Sequence, residues 1–340
     1  MNFILPFSSA LLFAAAAPAS KYLLSRFAPF FMAGFSYFFS AVALFIFYLI
    51  RKTNEEKISF KEDGLKIFLI ILSGGTLAPL FMLKGLQISQ ASNASLLLNL
   101  ETVFTSLMAV FFLKEKGGIR FWISCILIFL SAIILSFEPG KDFSFNMGAV
   151  FISAAALMWA LDNNLTASLS LKDPVSIAFI KGLAGGGINI FFSLITSEEN
   201  KLSFLPFFFL FLLGAFSYGL SLVLMIYSQR KIGAARTGII FGSYPIISFL
   251  LSILFLDEKI SGKAVSAFVL TCAAFYLTYT ERHSHKHVHE KISHSHKHNH
   301  EDGHHEHKHQ TFQGEHSHEH FHNFTIHEHE HKDDYHHKHH

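Results

Sequence analysis

The sequence predicts an all-α, polytopic membrane protein: ten transmembrane helices arranged as an inverted repeat of two five-helix units. Three observations carry this expectation. The composition suits a chain in contact with lipid, with 51% hydrophobic and only 15% charged residues, 40 Phe and a mean hydropathy of +0.37 over 340 residues. Apolar runs near the ~20 residues that a helix needs to cross a bilayer recur along the chain. The second half of that stretch repeats the pattern of the first.

In chain order the runs are 3–24, 29–50, 65–83, 92–113, 121–137, 147–169, 174–196, 205–227, 234–256 and 265–279, joined by a few polar residues each. A helix satisfies its own backbone donors and acceptors in lipid, and no other open-chain element does. Short connections between such runs therefore make a bundle and leave no soluble domain before the tail. The first run ends in Ala14, Ala15, Ala16, Ala17, Pro18 and Ala19, which looks like a signal-peptidase site. Met1 and Asn2 give it no positively charged start, so it is read as a span. Lys and Arg number 12 on the N-terminal side of the spans and seven on the other. Basic residues accumulate on the side that is not translocated, which places both termini in the cytoplasm and the protein in the plasma (bacterial inner) membrane. Cys125 and Cys272 sit in apolar runs, which argues against a disulfide framework.

The composition changes near Arg282, dividing the chain into 1–138, 146–281 and a tail, 282–340. Residues 1–282 hold 21 Lys and Arg against 15 Asp and Glu, net +6, and no His. The last 58 hold all 23 His with 6 Lys against 10 Asp and Glu, net −4. Neither balance is that of a nucleic-acid binder, so no nucleic-acid partner is expected. The tail repeats H-S-H-x-H-x-H at His283, His285, His287 and His289, at His294, His296, His298 and His300, and at His316, His318, His320 and His322. Its few apolar residues cannot offset the entropy of ordering, so it is expected to be disordered when metal-free. Imidazole suits Zn, Cu and Ni. His at i and i+2 share one side of an extended chain, and at i and i+4 one side of a helix. These His are the metal candidates, for Zn, Ni or Co; no cofactor is required. A pH-sensitive polyampholyte is the plainer alternative.

Sliding the chain on itself by 143 residues lays 103–116 (VFTSLMAVFFLKEK) on 246–259 (IISFLLSILFLDEK), with Leu107, Phe112, Leu113, Glu115 and Lys116 matched identically. A shift of 145 brings Pro29 onto Pro174. Five spans per copy is an odd number, so the second copy must enter from the opposite face. The chain resembles the drug/metabolite transporter superfamily, specifically proteins with two EamA-type domains, over about residues 3–280. The residues that carry the resemblance are A-S-x-A-S-L-L-L-N-L-E at 91–101, L-K-E-K at 113–116 and L-D-E-K at 256–259. That family usually has Pro in the middle of both motif helices; Pro245 keeps it in the ninth span, while Glu101 and Thr102 take its place in the fourth.

Charged side chains near the bilayer centre cost roughly 2.5–3.5 kcal/mol on insertion scales, so those present should face protein or water. Glu101, Asp162 and Lys181 stand out. Glu101 shares a helical face with Asn93 and Leu97, and Asp162, Asn163 and Asn164 interrupt the sixth span, where the helix could unwind. Lys181 is expected to pair with Asp162 or Glu101, against the plainer reading that it snorkels to the interface. Its repeat equivalent is Ser36, so this charge breaks the pseudo-symmetry. Tyr218 and Tyr244 could line the same cavity. Glu115 and Glu258 read as interfacial anchors, and the pairs Gly182/Gly186 and Gly238/Gly242 as close helix packing. The substrate-binding candidates are thus Asn93, Glu101, Asp162, Asn163, Lys181 and Tyr244.

Two functions follow from this reading. One is a secondary transporter, exporting a small organic metabolite by alternating access, with a metal-binding tail. The other is a Ni, Co or Zn effluxer whose tail collects cargo. Spans without any His favour the metabolite, since a transition-metal path draws on His, Cys or paired Asp. Ser, Cys and His are nowhere grouped for nucleophilic catalysis, so no enzyme is expected. The expected partners are a small-molecule substrate, the lipid bilayer and metal ions at the tail, with a homodimer left open.

Overall fold

A computed structural model describes residues 4–50, 58–113, 118–137, 146–169, 172–232, 234–280, 284–289, 293–298, 316–321 and 325–330. Among the described residues of 4–280, every regular element is a helix. α1 (Ile4–Ala14) and α2 (Ala16–Leu23) form one rod, broken where Pro18 has no N–H to offer the carbonyl four residues back. α3 (Pro29–Ile50) is continuous. α4 (Phe60–Ile70) and α5 (Ala78–Ile88) are joined by a π-helical stretch, Ile71–Leu77, at Gly74, Gly75 and Pro79. α6 (Ala91–Leu97) and α7 (Leu100–Leu113) break at Leu98 and Asn99. α8 (Ile119–Ser136) closes the first set.

The second set follows the same plan. α9 (Met147–Ala167) is started by Asn146, whose side chain accepts from Gly148 N, and α10 (Pro174–Ile195) by Asp173, which accepts from Val175 N and Ser176 N. α11 (Phe204–Leu212) and α12 (Ser221–Ile232) flank a second π-helical stretch, Leu213–Leu220. α13 (Ala234–Phe241) and α14 (Tyr244–Leu256) break just ahead of Pro245, and α15 (Gly262–Tyr279) follows.

Among the described residues, eight of these rods are long and apolar enough to cross a membrane. The two that fall short are α6–α7 and α9. In α9 the polar Asp162, Asn163 and Asn164 lower the apolarity; the side chains of α6–α7 are described only in part, and that part carries Ser92, Asn93, Ser95, Asn99 and Glu101. α9 nevertheless stays helical through all three polar residues, so the unwinding expected there does not occur. The outward-facing surface is apolar, with Phe204 86%, Leu194 75% and Phe255 71% exposed, as lipid contact requires and water would not tolerate. This is a multi-pass membrane protein.

α3 packs lengthwise on α10, and the contact runs through glycine. A Cβ on Gly182 would stand 2.7 Å from the Tyr37 carbonyl oxygen, and one on Gly186 would stand 2.7 Å from Phe38 N. Gly34 in turn meets Ile190 while Gly182 meets Ala41, so the two helices run in opposite directions. The small-residue reading fits Gly182 and Gly186. It does not fit Gly238, which faces open space.

The tail is described as a separate unit within 282–333. Its described segments are strands: β1 (Ser284–His289) pairs antiparallel with β4 (Thr325–Glu330), and β2 (Ser293–His298) with β3 (His316–Phe321). The period-two His spacing matches a strand. The rest of the tail, with His283, His300 and His322, lies outside the described residues, as does Glu115.

Gly186→Ala should destabilise the detergent-solubilised protein by the ~1–3 kcal/mol typical of overpacking, read as a lower thermal midpoint. Gly187→Ala, one residue on with nothing within 4 Å of its Cβ position, should not. Equal responses would contradict the packing account.

Candidate substrate site

The polar cluster is built by α7, α9, α10, α14 and the first π-helical stretch. Lys181 Nζ donates to Asp162 Oδ2 at 2.5 Å, with the two residues 3% and 1% exposed. An ammonium at this depth needs a counter-charge, and α9 and α10 are held side by side by it. The Asp162 carboxylate lies directly against Gly74, where any side chain would collide with it. The π-helical turn keeps that approach open: Tyr37 Oη donates to the Gly74 carbonyl at 2.7 Å, and Asn189 Nδ2 to the Thr76 carbonyl at 3.2 Å. Asp162 Oδ1 is buried and accepts no hydrogen bond.

Glu101, 5% exposed, is held from two sides. Asn163 Nδ2 donates to its Oε1 at 2.7 Å, and Tyr244 Oη to its Oε2 at 2.7 Å. Asn164 turns away and bridges α9 to α7 through the Thr105 carbonyl at 3.3 Å, a packing role. An aromatic wall completes the enclosure. Phe13 lies at its centre, with ring centroids 5.6 Å from Trp159, 5.9 Å from Tyr218, 5.6 Å from Phe241 and 4.8 Å from Tyr244. Glu101, Asp162, Asn163 and Lys181 line, with Tyr37 and Tyr218, a cavity of about 40 Å³. That holds roughly three waters. A larger groove of about 500 Å³ beside Leu250, Leu254, Val265 and Phe268 is apolar, and no polar group there could orient a ligand.

Five of the six substrate-binding candidates meet here: Glu101, Asp162, Asn163 and Lys181 on the cavity, and Tyr244 through Glu101. Asn93 does not. The break at Leu98 and Asn99 interrupts the face it was expected to share with Glu101, and its amide donates to Gln90 Oε1 at 3.4 Å instead. Phe13, Tyr37, Gly74, Trp159 and Ser217 were missed. Only Trp159, three residues before Asp162, gave a signal in the sequence. Glu258, read as an end-of-span charge, accepts from Ala91 N at 2.7 Å and Ser92 N at 2.9 Å, at the start of α6. In the tail, the register sets His285 and His287 opposite His329 and His327, and His294, His296 and His298 opposite His320, His318 and His316; His289 stands opposite Thr325. Among the described side chains, no three His, Cys, Asp or Glu gather as metal ligands do.

The model of the EamA-like transporter family matches this chain twice, at residues 2–137 and 146–280. The chain belongs to the EamA-like transporter family. Its relatives agree. An uncharacterised transporter of Methanothermobacter thermautotrophicus is 29% identical over 293 residues, 79% of this chain and 84% of its own. The S-adenosylmethionine uptake transporter of Rickettsia prowazekii is 24% identical over 284 residues, 80% of this chain and 90% of its own. One solved structure, at 15% identity, superposes with a TM-score of 0.62 over 81% of this chain and 95% of its own, which supports the fold. This EamA-like protein is therefore a membrane transporter of the drug/metabolite type.

Asp162→Asn strands the Lys181 ammonium and should cost about 3–5 kcal/mol. The double variant Asp162→Asn/Lys181→Met should recover most of that loss. Thermal unfolding of the purified variants checks it; a double variant no better than the single would mean that the pair is not the stabilising unit.

Proposed function

We propose that this chain is a secondary transporter that moves a small organic metabolite bearing both cationic and anionic groups, by alternating access between two five-helix halves. The observation that carries the reading is the buried Lys181, Asp162 and Glu101 cluster, which faces a cavity lined from both family regions. The three groups bring one ammonium and two carboxyl groups to one chamber. Lys181 would take a substrate carboxylate, while Asp162 Oδ1 and Glu101 would take cationic centres. S-adenosylmethionine, named for one relative, has one carboxylate and two cationic centres, the complement of this set.

The inverted-repeat part of the proposal draws support from equal lengths. α3 and α10 have 22 residues each, α8 and α15 have 18 each, and the rods Phe60–Ile88 and Phe204–Ile232 have 29 each with a π-helical stretch in the same place. Glu101 and Tyr244, hydrogen-bonded to each other, are one 143-residue repeat interval apart. Such pairs are expected near a two-fold axis in the membrane plane. On this plan all ten rods span, and α6–α7 and α9 tolerate their polar residues because those residues face the chamber. A cavity of about 40 Å³ fits water and no metabolite, so the conformation is closed and substrate-free. The protein resides in the plasma membrane with both termini cytoplasmic, and the gradient of substrate or of a coupled proton drives it. The tail binds Zn, Ni or Co through His pairs of the kind its register places opposite one another.

In proteoliposomes, Glu101→Gln should cut uptake of labelled S-adenosylmethionine, or of whichever zwitterion a substrate panel identifies, at least ~10-fold, the scale on which a lost charge-assisted contact acts. Insertion should be unchanged; full uptake in this variant would remove Glu101 from the site. Deleting 283–340 should abolish Ni and Zn binding and leave metabolite flux intact. If the deletion instead abolished metal accumulation in vesicles, the metal would be the cargo.

A further inference from the structure

The N-termini of these helices differ in what satisfies their first N–H groups. α9, α10 and α15 are capped by their own preceding residues, Asn146, Asp173 and Ser261. α3 and α6 are not: Ala28 has no acceptor to offer, and the Gln90 side chain makes no cap bond. Their free N–H groups are taken instead by glutamates from the other family region. Glu198 accepts from Phe30 N at 3.1 Å and Phe31 N at 2.9 Å, and Glu258 from Ala91 N at 2.7 Å and Ser92 N at 2.9 Å. A carboxylate on these orphan donors also meets the positive end of the helix dipole.

The backbone is bent to make both contacts. Among the described residues, Ser197 (φ 50°) and Asp257 (φ 48°) are the non-glycine residues in the left-handed region, and each stands directly before one of the two glutamates. Such conformations persist only where the surroundings impose them. Both contacts lie at the same end of the bundle. There Asn200 Oδ1 accepts from Ala28 N at 2.9 Å, Lys201 N donates to the Arg26 carbonyl at 2.9 Å, and Lys21 Nζ donates to the Leu86 and Ser89 carbonyls at 2.5 and 2.7 Å.

We propose that Glu198 and Glu258 form a paired latch that shuts this end of the bundle by capping α3 and α6 across the two family regions, and that it releases whenever the chamber opens there. The proposal rests on the alternating-access reading. Helices that relied on their own caps would gain nothing from closure; helices that borrow caps are stabilised only in the closed state.

The test needs no substrate. Leu222 also lines the cavity; in a Cys125→Ala/Cys272→Ala background, Leu222→Cys places one thiol on the chamber wall, and a membrane-impermeant thiol reagent is applied to each side in turn. Glu198→Gln/Glu258→Gln should raise labelling from the latched end about 25-fold, a roughly fivefold effect for each lost cap. Asp173→Ala, which removes a helix's own cap at the opposite end of α10, should not raise it. If the double variant does not fold, each single variant should give about a fivefold rise by the same reasoning. Folded variants that label at the parent's rate overturn the latch alone. Absence of labelling from either side in parent and variants overturns alternating access, and the latch with it.

Discussion

An ammonium group buried in an apolar bundle sets the terms for everything packed around it. Lys181 at 3% exposure is withdrawn from bulk water and headgroups, so a carboxylate must be brought to it, and Asp162 at 2.5 Å is that carboxylate. To bring Asp162 there, α9 must lie against α10. For the carboxylate to fit, the facing rod must present backbone without a side chain, which Gly74 does. To expose that backbone, the rod must depart from α-helical geometry, and the π-helical turn at Ile71–Leu77 leaves carbonyls that Tyr37 and Asn189 satisfy. One charge thus fixes three helices and a helical irregularity.

The site departs from the near-symmetry of its frame. The third and eighth rods match in length and in their π-helical stretches, and α3 and α10 match in length and in their opening proline. Yet the residue that corresponds to Lys181 is Ser36, and the one that corresponds to Glu101 is Tyr244. Both halves contribute to a chamber whose charges come from unequal positions: Glu101 from the first, Asp162 and Lys181 from the second. The family region occurs twice along the chain, while the charges of the chamber are not repeated.

Much of this was legible in the sequence, and the residues show why. Apolar run lengths and their recurrence located the rods, because lipid imposes length and polarity on each helix separately. The partner of Lys181 could be anticipated because so few counter-charges exist at that depth. Asn93 was misplaced because a helical face was extended through Leu98 and Asn99, whose break shows only in the coordinates. Gly74, Tyr37 and Phe13 were invisible for a different reason: each acts through a contact between rods distant in sequence, and glycine or phenylalanine in an apolar run carries no local signal. Ser197 and Asp257 likewise gave no sign, since left-handed backbone is usually announced by glycine.

The account stands or falls on where cargo sits. A structure of the protein with its transported metabolite bound addresses this most directly. Density for the metabolite should appear between Lys181, Asp162 and Glu101 in an enlarged chamber, with the Lys181–Asp162 contact opened and each charge turned to the ligand. Density in a different part of the bundle, or bound metabolite with that ion pair intact and Glu101 still held by Asn163 and Tyr244, would contradict it.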